Sequence, residues 1–296
     1  MFIVCYYLLY WVLFNIKTEK GPLVLYQDKI VLHKDVVGKT LKEFDTDKMY
    51  DLLIIGSSHG YRCFDPRIFE KKGISCYNLG SSSQTPLVSY SILKKFINNT
   101  RFIIFEVYPV AFNIKGVESF YTLIATDYTD RQLLTSISLQ LFDLRCFNIL
   151  SLKPVISSYI NHLPYNIPIT YSGYAETTDS IKKEISYETI ILNESIIEQQ
   201  IRYFKKSISL CRDKKIKMIL VYAPVPKDLK IIKEEWFLNR IKEISKEGEI
   251  EFLNWGRNHD LNVNNHFFDD DHLNASGVKI FNERLIEEIH KSNPGK

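Results

Sequence analysis

The chain has 296 residues, a formal net charge of +3, 45% hydrophobic residues and 25% charged residues. That balance supports a sizeable core, excludes wholesale disorder, and fits a single α/β domain with an insertion. The charge is too small and too dispersed for nucleic-acid recognition, since Lys and Arg alternate with Glu in stretches such as IIKEEWFLNRIKEISKEGE.

The first sixteen residues, MFIVCYYLLYWVLFNI, carry no charged side chain and are followed by Lys17 and Lys20. As a helix they would span about 24 Å, short of a hydrocarbon core of about 30 Å. Tyr6, Tyr7, Tyr10 and Trp11 favour a membrane interface over a buried core helix. No small-residue cleavage site follows, so residues 1–16 predict an uncleaved N-terminal membrane anchor. The basic residues after the run would by themselves hold the body on the cytoplasmic side.

Residues 17–49 read as a polar connector, and the domain proper is expected over 50–292. DLLIIG, SCYNLG and RFIIFEVY predict buried strands, with DPRIFEKKG and TPLVSYSILKKFINN as the helices between them. Residues 110–186, rich in Tyr, Ser, Thr, Pro and Asn, break this rhythm and predict an insertion or lid over one sheet edge. An amphipathic helix over about 188–214 precedes the strand-like KIKMILVYAP, and a helix over about 229–246 precedes EIEFLNW. NASGVKIFNERLIEEIHK predicts a terminal helix with Ile280, Leu285 and Ile289 inward. This alternation predicts a mostly parallel sheet covered on both faces, with ligands bound beyond the strand carboxyl ends. Cys5, Cys63, Cys76, Cys146 and Cys211 form no C-x-x-C pair, which favours free thiols over a zinc module or a disulfide framework; a Cys63–Cys76 bridge is the one alternative.

Chemistry concentrates in three stretches. Gly56-Ser57-Ser58-His59 closes the first strand, where a serine either caps the following helix or acts as a nucleophile. YNLGSSSQTP puts Gly80 at the second strand end, where its backbone N–H could face an oxyanion. HFFDDDHLNASG sets Asp269 three residues before His272, a spacing that lets a carboxylate hold one imidazole nitrogen while the other faces a nucleophile. Chance supplies about 0.4 such D-x-x-H matches in a chain of this composition, so its place ahead of the last helix carries the weight. Asp270, Asp271, His266 and His259 raise a divalent-metal alternative, but consecutive aspartates are more often solvated or helix-capping, and no metal or other cofactor is expected. His59 is expected to face away from Ser58 and pack locally.

Together, G-x-S after the first strand, a glycine after the second and D-x-x-H-L-N-x-x-G near the C-terminus resemble the SGNH/GDSL hydrolase superfamily. The resemblance covers residues 51–109 and 216–290 and implies a three-layer α/β/α fold with a mostly parallel, flavodoxin-like sheet. It implies Ser58 as nucleophile, His272 as base, Asp269 as its orienting carboxylate, and the Ser58 and Gly80 backbone N–H groups as oxyanion hole. Ser57 stands where the family usually has aspartate. The family's third motif supplies an asparagine donor; here that region reads FEVYPVAFN, with Glu106, Tyr108 and Asn113 as its polar residues, and Asn113 and Gln84 are the candidate substitutes. Membrane-anchored relatives that modify cell-surface polysaccharides carry G-S-S or G-T-S in the first motif. By that likeness the expected activity is an esterase on O-acyl groups of a cell-envelope glycan, with the catalytic domain extracytoplasmic. The alternatives are a polysaccharide O-acetyltransferase served by a membrane acyl-donor protein, and a glycan-binding protein without activity.

Overall fold

In the computed structural model, residues 2–18, 21–22, 36–125, 130–161, 171–178 and 188–292 are described. Five apolar segments form the central sheet: β1 (Tyr50–Ile55), β2 (Cys76–Asn78), β3 (Thr100–Glu106), β4 (Lys217–Tyr222) and β5 (Glu251–Asn254). They lie in the order β2-β1-β3-β4-β5, and every neighbouring pair is parallel. This is the flavodoxin-like order, whose topological switch point falls between β1 and β3. Ile55 pairs with Phe105 in that central ladder, so the residues just after β1 sit beside the end of β3.

Alternation along the strands sends successive side chains to opposite faces. Leu53, Ile55, Ile103 and Phe105 enter a core shared with the helices Pro86–Phe96 and Glu194–Asp213. Leu52, Ile54, Ile104, Ile219 and Val221 enter a second core with Phe64, Phe69 and the terminal helix Ala275–Ser292. Helices therefore cover both faces, giving the three-layer α/β/α architecture that the resemblance implied. The terminal helix turns Phe281, Leu285 and Ile286 fully inward, while Ile280 and Ile289 are only partly buried against the same cluster. Truncating a buried aromatic such as Phe281 to alanine would cost about 3–5 kcal/mol.

Two boundaries differ from the sequence reading. The supposed connector contains the helix Val36–Glu43, and Val37, Leu41 and Phe44 are core residues. Their spacing of four and three is a short helical stripe that the polar neighbours obscure. The stretch expected to be a lid also feeds the main core: Val117, Phe120, Ile124, Leu134, Ile137, Cys146 and Ile149 pack into it from the helices Val117–Ile124, Arg131–Leu141 and Leu144–Asn161. All five cysteines are free, four of them buried and Cys5 exposed.

The helix Phe2–Asn15 packs Tyr10 into the core. On the same side the Tyr6 hydroxyl accepts a hydrogen bond from Asn148 Nδ2 at 2.6 Å. Its remaining surface exposes Val4, Leu8, Leu9, Trp11 and Val12. No helix among the described residues is long and apolar enough to cross a membrane.

Candidate active site

The two adjacent serines have different fates. Ser57 is the N-cap of the helix Ser58–Cys63, its Oγ accepting from the His59 N–H at 3.3 Å. The same hydroxyl donates to Glu106 Oε2 at 2.8 Å, and the Ser57 backbone N–H donates to that oxygen at 2.9 Å. Ser57 is thus buried and committed to structure. Ser58, the first residue of the helix, is half-buried, and its side chain is free of that capping duty.

Glu106 ends β3 and is buried at 2% exposure. Gly56 makes room for it: a Cβ there would lie 2.5 Å from Glu106 Cβ. Ser57 occupies the position where the resembled family carries aspartate, and Glu106 brings a carboxylate to that spot from the neighbouring strand. Burial pushes the Glu106 carboxyl up to about 7, against the lowering effect of the two Ser57 hydrogen bonds. Its Oε1 has no hydrogen-bond partner.

The imidazole arrives from the far end of the chain. Phe267 and Leu273 form an antiparallel bridge, and Phe268 N–H donates to the His272 carbonyl at 2.8 Å, which pinches residues 268–272 into a tight loop. Inside it Asp269 Oδ1 accepts the His272 backbone N–H at 2.8 Å, an Asx-type turn that returns the carboxylate onto its own histidine. His272 Nδ1 lies 2.9 and 3.0 Å from the two Asp269 oxygens. The rest of the motif secures the loop. Leu273 is buried, and Asn274 Oδ1 caps the terminal helix by accepting from the Ser276 and Gly277 N–H groups at 3.1 and 3.0 Å. At Gly277 any Cβ would strike the His266 carbonyl oxygen.

Ser58 and His272 reach the same rim of the sheet. His59, next in the chain to Ser58, has its ring centroid 4.8 Å from that of His272. His272 Nε2 is buried and has no hydrogen-bond partner, so it is not bonded to Ser58 Oγ. Catalytic hydrogen bonds often form only once substrate binds. Burial alone would lower His272, but the Asp271 charge and the Asp269 hydrogen bond outweigh it and raise the imidazole to about 9. Asp269 is in turn held below the usual carboxylate range by His272, despite burial.

Three expected donors are spent elsewhere. The Gly80 N–H donates to Asn78 Oδ1 at 3.0 Å rather than pointing at an oxyanion. Asn113 clasps a distant segment: its Nδ2 donates to the Ile191 carbonyl at 3.1 Å and its Oδ1 accepts from Asn193 N–H at 2.6 Å. Gln84 is buried between Ser81 and Ser89, accepting from one at 2.7 Å and donating to the other at 3.0 Å. Neither amide faces Ser58 as a free donor.

His59 packs against residues far along the chain. It is fully buried, and its Nε2 lies 2.9 Å from the Asp271 carbonyl, which fixes the Nε2–H tautomer and leaves Nδ1 without a partner. Its ring sits 3.8 Å from that of Tyr108, whose hydroxyl donates to Asp271 Oδ2 at 3.0 Å. His59, Asp271 and His272 offer ligand atoms within 4.8 Å of one another. In this structure the Asp271 oxygens contact His272 Nδ1 and the Tyr108 hydroxyl. The nitrogens of His259 bond the Val225 carbonyl and the Leu261 N–H, and His266 Nδ1 accepts from Asn262 N–H. A cavity of about 750 Å³ lies elsewhere, lined by Lys227, Lys230, Arg257 and neighbours and by none of the candidate residues.

Glu106 and Asp271 are the residues that sequence reasoning undervalued. A carboxylate closing the apolar run RFIIFE was the available signal for the first; the second was hidden among three equivalent aspartates.

No protein-family model matches the sequence, and no curated protein matches it. Among solved structures, the chain is similar to a protein from Bacteroides fragilis assigned as an acylhydrolase, with 11% identity and a TM-score of 0.42, covering 86% of this chain and 94% of that one. It is also similar to a GDSL-like lipase from Bacteroides thetaiotaomicron, with 13% identity and a TM-score of 0.40, covering 81% of this chain and 89% of that one.

Proposed function

We propose that the chain is a serine-dependent acyl-ester hydrolase of the SGNH type, with Ser58 as nucleophile, His272 as base and Asp269 as its orienting carboxylate. The observation that carries this reading is the His272 imidazole: Nδ1 gripped by a carboxylate, Nε2 buried and unpartnered, at the rim where Ser58 opens a helix. Neutral His272 would take the Ser58 proton as Oγ attacks the ester carbonyl. The Ser58 N–H, one of the free donors of a helix start, would support the oxyanion. His272 would then protonate the leaving alcohol, and water would release the acid. A sugar hydroxyl in place of that water would make the same machinery an O-acetyltransferase.

A fluorophosphonate probe tests the assignment. Labelling of the parent that is lost in Ser58→Ala supports it, as does loss of p-nitrophenyl acetate cleavage in that variant. Labelling that persists in Ser58→Ala overturns it, and a parent that never labels favours a glycan-binding role without catalysis.

The resemblance to polysaccharide-modifying relatives makes an O-acylated cell-envelope glycan the proposed substrate. A membrane surface as the working place is supported by the N-terminal helix. That helix has no charged side chain, exposes Val4, Leu8, Leu9, Trp11 and Val12, and at 14 residues reaches only about 21 Å. Flotation with phosphatidylcholine vesicles should be lost when residues 2–16 are deleted; a parent that stays with the soluble fraction would refute this placement.

A further inference from the structure

His272 is held by more than the aspartate of its motif. Asp271 Oδ1 lies 2.7 Å from the same Nδ1 that Asp269 approaches at 2.9 Å. One N–H cannot point linearly at both carboxylates: the hydrogen bond goes to Asp269, and Asp271 stands beside it as a close ion-pair contact. Two carboxylates this close repel each other unless a cation stands between them.

Asp271 is itself anchored by two other parts of the fold. Tyr108, just beyond β3, donates its hydroxyl to Oδ2 at 3.0 Å. His59, from the helix that Ser58 opens, holds the Asp271 carbonyl at 2.9 Å and lies against the Tyr108 ring. Tyr108 and His59 are both buried. None of these contacts caps a helix or completes a sheet ladder, and all converge on the residue just before His272.

We infer that Asp271, fixed by Tyr108 and His59, is a second positioning carboxylate that faces the His272 Nδ1 beside Asp269 and sets the direction of Nε2. This rests on the reading of Ser58 and His272 as the reactive pair. Tyr108 and His59 act through Asp271 and touch no substrate. The groups facing His272 are Asp269, Asp270 and Asp271 from its own loop, His59 from the Ser58 helix and Glu106 from β3, with Arg62 beside Asp269. Among those that raise the imidazole, the Asp271 charge is the largest.

The test compares Asp271→Asn, Tyr108→Phe and Asp269→Asn with the full-length parent. NMR titration of the His272 ring reads the coupling without any need for turnover. Asp271→Asn should lower the His272 midpoint by about one pH unit or more, because one anion facing the imidazolium is removed. The midpoint of kcat/KM for p-nitrophenyl acetate should fall with it, and the limiting rate at high pH should drop at least about tenfold. Tyr108→Phe should lower that limiting rate while leaving the His272 midpoint closer to the parent. An Asp271→Asn protein with the parent's ring midpoint and limiting rate overturns the inference while Ser58→Ala still abolishes labelling. If Asp271→Asn does not fold, Tyr108→Phe decides, and an unchanged limiting rate there is equally fatal. Persistent labelling in Ser58→Ala would sink the serine reading instead, and the ring titration would still report whether Asp271 couples to His272.

Discussion

Ser57 Oγ lies 2.8 Å from Glu106 Oε2, joining the ends of the two central strands by a buried hydroxyl–carboxylate bond that the Ser57 N–H reinforces at 2.9 Å. Replacing Glu106 by alanine strands two buried donors and opens a void, which should cost about 2–4 kcal/mol. Glu106→Gln retains an oxygen for the Ser57 N–H and should cost only about 1 kcal/mol. Urea unfolding of the two variants measures the difference, and equal midpoints would show that the contact contributes nothing.

The same groups shape the dependence of stability on pH. Glu106 is raised by burial to about 7 from an ordinary 4.5, so its contribution is complete below 4.5 and is lost as pH climbs through 7. His272, raised to about 9 from 6.5 by Asp271 and Asp269 against burial, contributes fully below 6.5 and loses that contribution on the way through 9. His59 runs the other way: burial lowers it to about 4, so its contribution holds above 6.5 and disappears as pH falls through 4. Stability should therefore decline on both sides of a mildly acidic maximum. In Glu106→Gln the decline between 4.5 and 7 should flatten while the part up to 9 persists, as urea midpoints across the range will show.

The terminal helix and the base loop should fail together. Asn274→Ala removes the helix cap and should cost about 1–2 kcal/mol. Gly277→Ala drives a methyl into the His266 carbonyl, a backbone atom that cannot swing aside, and should cost at least about 2 kcal/mol. Both should slow fluorophosphonate labelling of Ser58 at temperatures where the protein remains folded. Unchanged labelling alongside lowered stability would uncouple the loop from the helix.

Asn113→Ala and Gln84→Ala should leave labelling of folded protein within about threefold of the parent, whereas loss of a true oxyanion donor costs about a hundredfold or more. Their amides are already engaged with residues 191 and 193 and with Ser81 and Ser89. A hundredfold drop in either variant would reinstate it as a donor.

The sheet was legible because each strand is a short apolar run bounded by turn residues, and the pairing order follows from parallel crossovers. The Asp269–His272 couple was legible because both partners lie within one turn. What escaped was non-local or masked. The core stripe Val37–Leu41–Phe44 is too short for periodicity to stand out, and the side chains of Asn113 and Gln84 find partners that spacing does not disclose. Spacing is equally silent on the Asn78 side-chain oxygen, which accepts the Gly80 N–H. Nor does alternation of apolar residues indicate which of three consecutive aspartates turns toward Tyr108.

His59 and the Asp271 carbonyl it bonds are 212 positions apart in the chain. On the ribosome, Ser58 therefore emerges long before His272. On the proposed reading, a product cut short ahead of residue 267 would display the serine without its base.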